Sequence, residues 1–101
     1  MKKLVRDKIP NMIPATESHL FKFVPLPDAE YADELKKKLV EEVKEYLEAE
    51  NVEELADIYE VLDAIIKFKT FDLEEIHRVK QTKLDLRGGF EKRLLMERVE
   101  S

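Results

Sequence analysis

The spacing of apolar residues divides the chain into an irregular opening, three helical stretches and a tail of mixed pattern. Ala32, Leu35, Leu39, Val43, Tyr46 and Leu47 return every three or four positions. That period predicts a helix over residues 28–50, with Asp28 as its N-cap. Leu55, Ile58, Tyr59, Val61, Leu62, Ile65 and Ile66 keep the helical period over residues 52–69. Asn51, with Glu54 three residues on, reads as the capping box that starts this second helix. Asp72 and Glu75 repeat the signature before a third helix over residues 73–86, which Gly88 and Gly89 bring to a stop. Upstream, Pro10 and Pro14 limit the opening to a turn or two, and residues 20–24 (LFKFV) alternate in the manner of a short strand. Residues 90–99 (FEKRLLMERV) fit a strand or a short helix, and a strand pairing with residues 20–24 is the reading adopted.

The expected fold is therefore one mainly α domain spanning residues 1–101, built on an antiparallel pair of helices, with a small β element from the end segments. Tyr46, Tyr59, Phe68 and Phe71 fall at apolar positions and are expected in the core. The second helix is apolar over about half its circumference, more than 101 residues can cover. A homodimer or higher oligomer is the expected remedy.

Composition narrows the function classes. A net charge of −5 and a pI near 5.1 argue against a nucleic-acid polymer as partner. The absence of cysteine excludes disulfides and thiolate metal ligands. No apolar run approaches the ~20 residues of a membrane span, so no membrane partner is expected and a cytoplasmic location is the default.

The direction in which the acids point adds more. At about 100° of turn per residue, Glu42 lies three residues after Leu39 and four before Tyr46, on the edge of the apolar stripe. Glu45 is the next position round, and Glu41 lies farther toward solvent. On the second helix Glu54 falls inside the apolar arc and Asp57 flanks it, whereas Glu53, Glu60, Asp63 and Lys67 face the other way. Packing the helices antiparallel brings Glu42, Glu45, Glu54 and Asp57 together near the turn. Like charges crowded out of water are costly unless compensated. A hard divalent cation is a natural compensation, and each i, i+3 pair can reach one ion. The same spacing also fits a plainer arrangement, in which Glu54 is only the capping-box acid and Glu42 and Glu45 pair with Lys38 or Lys44.

The combination E-E-x-x-E (41–45) and E-x-x-D (54–57) on paired helices resembles the signature of the all-α nucleoside triphosphate pyrophosphohydrolases, the MazG-like superfamily. K-L-V-R-D-K-I-P (3–10), E-L-A-D-I-Y-E-V (54–61) and R-G-G-F (87–90) look like its small phosphoribosyl-ATP-pyrophosphohydrolase-like branch, and the resemblance covers nearly the whole chain. One departure is the gap of eight residues between Glu45 and Glu54, shorter than in the wider superfamily. The resemblance implies hydrolysis of a nucleoside triphosphate or related nucleotide to the monophosphate and pyrophosphate. It implies Mg²⁺, with Mn²⁺ as a substitute, held by Glu42, Glu45, Glu54 and Asp57. Glu41 and Glu42 would serve the attacking water. Lys3, Arg6 and Lys8 of the opening, and Lys80, Lys83 and Arg87 of the third helix, are the candidate phosphate contacts. The competing class is a non-catalytic dimerising or metal-responsive helical module that uses the same helices as an interface.

Overall fold

The computed structural model describes residues 2–100. Three α-helices carry the chain: α1 (Asp28–Ala49), α2 (Val52–Lys69) and α3 (Leu73–Arg87). Their limits agree with the periods above to within a residue. Two short 3₁₀ turns, Ile9–Met12 and Ser18–Leu20, interrupt the opening. By backbone contacts the molecule divides into two compact units, one ending at Lys69 and one beginning at Thr70.

In the first unit α1 and α2 form the antiparallel pair. Only Glu50 and Asn51 separate them, Tyr31 near the start of α1 meets Phe68 near the end of α2 edge-to-face at 5.1 Å, and Glu42 meets Asp57 between. The turn works because Glu50 takes a left-handed backbone (φ 51, ψ 45) and returns its N–H to Tyr46 O at 2.7 Å, closing the last turn of α1. The side-chain carbonyl of Asn51 then accepts from Glu54 N at 3.0 Å, opening α2.

The start of α1 differs from the expectation. Asp28 is the first helical residue, and Pro27, extended at φ −67 and ψ 163, is the N-cap whose carbonyl accepts from Tyr31 N at 2.9 Å. Asp28 instead joins Glu30 in the first turn, where the positive end of the helix dipole favours it.

The core is small. Leu35 and Val61, facing each other's helix, are the buried apolar residues, and Glu42 is buried with them. Tyr46 and Phe68 are half-buried as expected, but Tyr59 (70% exposed) and Phe71 lie in solvent, a correction to their assignment to the core. On α2 Leu55 and Leu62 are exposed beside Tyr59, so one side of its broad apolar arc has no cover among the described residues of the first unit.

The second unit consists of α3 and the segment after it. Asp72 caps α3 by accepting from Glu74 N at 3.0 Å, and Gly88, at φ 78, ends it with its N–H on Leu84 O at 2.8 Å. A positive φ is the reason glycine stands there. No side chain of α3 is buried. Among the described residues there is no strand, which corrects the expected β element. Residues 21–27 and 94–100 have no regular structure, and Leu94, Leu95 and Met96 stand almost fully in solvent. An alternating pattern becomes a strand only when a second strand takes up its backbone N–H and C=O groups, and neither segment has such a ladder.

Candidate functional site

Three carboxylates converge from the facing sides of α1 and α2. Oxygens of Glu42, Glu54 and Asp57 lie within 4.8 Å of one another. A second group, Glu41, Glu42 and Glu45, meets the same limit along one turn of α1, with Glu42 common to both. Of the four acids expected to converge, Glu42, Glu54 and Asp57 do so across the two helices, whereas Glu45 is grouped only with its α1 neighbours Glu41 and Glu42. Glu41, placed toward solvent, joins them at the edge.

Glu42 is the centre of the arrangement. It is 6% exposed, rare for a carboxylate, and Lys38 lies one helical turn before it with Nζ 3.3 Å from Oε1. The same ammonium is 3.3 Å from Glu41 Oε2. The other oxygen of Glu42, Oε2, is buried without a hydrogen-bond partner, and so is Oε2 of Glu54. Burial raises the pKa of Glu42, and the neighbouring Glu45 carboxylate pushes the same way, against the opposing pull of Lys38. Burial acts on Lys38 to lower its pKa, but the bonds and charges of Glu41 and Glu42 outweigh it and leave it raised.

These details bear on the plainer arrangement. Lys38 does pair with Glu42, yet satisfies only one of its oxygens. Asn51 does cap α2 by accepting from Glu54 N, but the Glu54 carboxylate makes no return bond to the Asn51 amide. Half a capping box leaves a buried carboxylate oxygen with nothing to bind. Buried polar atoms are normally satisfied, and two orphaned oxygens on carboxylates that approach one another suit a cation between them. The donor set, carboxylate oxygens alone, matches hard cations.

A groove of about 990 Å³ opens beside this cluster, wholly within the first unit. Glu42 and Asp57 reach its wall, Tyr31 and Phe68 line it, and residues 3–9 form one side. Lys3, Arg6 and Lys8, expected as phosphate contacts, all line it. Lys80, Lys83 and Arg87 belong to the second unit and are not among its lining residues. Glu60 and Lys67, which the wheel turned to solvent, are exposed but line the same groove. The helix period ranks positions against a partner helix and is blind to the opening segment, which approaches α2 from another side. One contact of that approach had no signal in the sequence: Arg6 Nη2 sits 2.7 Å from Asp57 Oδ1, across 51 residues.

No helix is long and apolar enough to cross a membrane among the described residues. Comparison of the chain with family models, with curated proteins and with solved structures finds no match.

Proposed function

We propose that the first unit is a divalent-cation-dependent nucleotide pyrophosphohydrolase, converting a nucleoside triphosphate or related nucleotide to its monophosphate and pyrophosphate. The observation that carries the reading is the pair of buried, unpartnered oxygens on Glu42 and Glu54, converging with Asp57 at the edge of a groove. The resemblance of residues 41–45 and 54–57 to the all-α pyrophosphohydrolase signature supports it.

Glu42, Glu54 and Asp57, with Glu45 on the neighbouring turn, would hold Mg²⁺ or Mn²⁺. When bound there, the cation would supply charge neutralisation for the triphosphate and would make a nearby water easier to deprotonate. The chain's own residues supply the rest. Lys38 neutralises one oxygen of Glu42 and so fixes the direction of the other. Glu41 gives one oxygen to Lys38 and keeps the second for the attacking water, whose proton it would accept as the water oxygen bonds to the α-phosphorus. The bond from that phosphorus to the bridging oxygen breaks, and pyrophosphate leaves. Lys3, Lys8 and Lys67, spread along the groove, offer point charges to phosphate oxygens.

A second reading rests on the uncovered face of α2, where Leu55, Tyr59 and Leu62 are exposed. It makes the unit a dimerising module whose acids bind metal without turnover. Assay of pyrophosphate release over a panel of normal and damaged nucleoside triphosphates with Mg²⁺ or Mn²⁺ separates the two. The enzyme reading expects release from at least one substrate and its loss in Glu42→Gln. Silence across the panel, or an equally active Glu42→Gln, leaves the module.

A further inference from the structure

Asp57 serves two claimants. Its carboxylate belongs to the converging group with Glu42 and Glu54, and it also accepts from Arg6 at 2.7 Å. This is the one hydrogen bond or ion pair by which the side chains of residues 3–12 are tied to α1 or α2 among the described residues. Leu4, Val5 and Ile9 add half-buried apolar contact along the groove. The segment therefore forms one side of the groove with a single ionic fastening, and that fastening is made to a carboxylate of the cluster.

We propose that Arg6 is a counter-ion latch. In the cation-free protein it occupies Asp57 and holds residues 3–12 in place as one side of the groove, and it releases Asp57 when a divalent cation is taken up by Glu42, Glu54 and Asp57. The second half rests on the metal reading given above. The chemistry is competition between like charges: a guanidinium and a dication on one carboxylate repel each other, so each weakens the other's hold. The pair is also weak enough to exchange. Its side chains are 58% and 39% exposed, and pairs that open to water shift an equilibrium by about fivefold at most. The latch thus couples occupancy of the carboxylate cluster to access to the groove, and it places Arg6 as a positioning residue rather than a fixed wall.

The test uses the full chain in two arms. Trypsin cleavage of the Lys8–Ile9 bond, followed by mass spectrometry, reads the opening of the segment in parent and Arg6→Gln, each with chelator and with millimolar Mn²⁺. Calorimetric titration with Mn²⁺ reads affinity in both proteins. The latch predicts cleavage several-fold faster in Arg6→Gln under chelator, with Arg6→Lys restoring protection. It predicts that Mn²⁺ speeds cleavage of the parent but not of Arg6→Gln, and that Arg6→Gln binds Mn²⁺ up to about fivefold tighter. Equal cleavage of parent and Arg6→Gln under chelator overturns the latch, whatever the metal does. Equal or weaker Mn²⁺ affinity in Arg6→Gln overturns the exchange and leaves the metal reading standing. Absence of Mn²⁺ binding in both proteins overturns the exchange together with that reading.

Discussion

Lys38 Nζ lies 3.3 Å from Glu42 Oε1, and with side chains 18% and 8% exposed this is the least exposed ion pair among the described residues. Its position matters more than its strength. The ammonium takes one oxygen of the carboxylate and leaves the other buried and unpartnered, on a residue that converges with Glu54 and Asp57.

Removing the ammonium should therefore be costly while removing both partners should not. Lys38→Met is expected to destabilise the protein by about 1–3 kcal/mol at neutral pH, the penalty of leaving a largely buried polar group uncompensated. Adding Glu42→Gln to it should recover most of the loss. Urea unfolding of the two single variants and the double variant measures the coupling. Additive losses would show that the pair contributes little to the arrangement.

The pH dependence has a definite sign. Glu42 faces Lys38, Glu41 and Glu45 on its own helix, Glu54 and Asp57 on α2, and Arg6 lies beyond Asp57. Burial first, then Glu45, raise its folded pKa above the ordinary 4.5. Between 4.5 and that raised value the folded state holds more protons than the unfolded one, so stability falls as pH rises through this window. In chelator, Glu42→Gln should remove that fall. Lys38 has the same sign at the alkaline end: its pairing contributes stability below 10.5 that is lost as pH rises through its raised folded value. Unfolding curves taken from pH 4 to 11 read both limbs.

How much of this was legible follows from the range of each interaction. The limits of α2 and α3 are written in local chemistry, a 3.6-residue period closed by Asn51, Asp72 and Gly88. The inward turn of Glu42 and Glu54 follows from the same period once two helices pack antiparallel. The strand expected at residues 20–24 failed because its ladder depends on a second segment that local alternation cannot supply. Asp28 lost the cap because Pro27, already extended, offers its carbonyl to Tyr31 N and fits that position. The Arg6–Asp57 contact and the groove beside Glu60 and Lys67 depend on the path of residues 3–9, which no period records.

The uncovered arc of α2 leads to a prediction about assembly. Leu55, Tyr59 and Leu62 on a second copy would cover the same residues here, as a two-fold interface requires. Light scattering at micromolar concentration should give a mass of at least a dimer, and Leu62→Glu should shift it toward the monomer. A parent that is monomeric throughout would show that this face stays in water.

The turn between α1 and α2 offers a change that touches no charge of the cluster. Glu50 holds a left-handed backbone that side chains with a Cβ adopt at a cost of about 1 kcal/mol. Glu50→Gly removes that cost and adds unfolded-state entropy of similar size, for a net change within about 0.5 kcal/mol either way. Thermal unfolding measures it. A loss of several kcal/mol would mean that the Glu50 side chain, not its backbone, holds the turn.

The central claim is that Glu42, Glu54 and Asp57 form a divalent-cation site, and calorimetric titration of Mg²⁺ into the chelator-stripped protein tests it most directly. The parent is expected to bind Mg²⁺ at millimolar concentration or below and to gain thermal stability with it by mass action. Glu54→Gln should lose that binding, while Glu53→Gln, one residue away and exposed, should keep it. No heat of binding in the parent, or an equal loss in Glu53→Gln and Glu54→Gln, would contradict the claim.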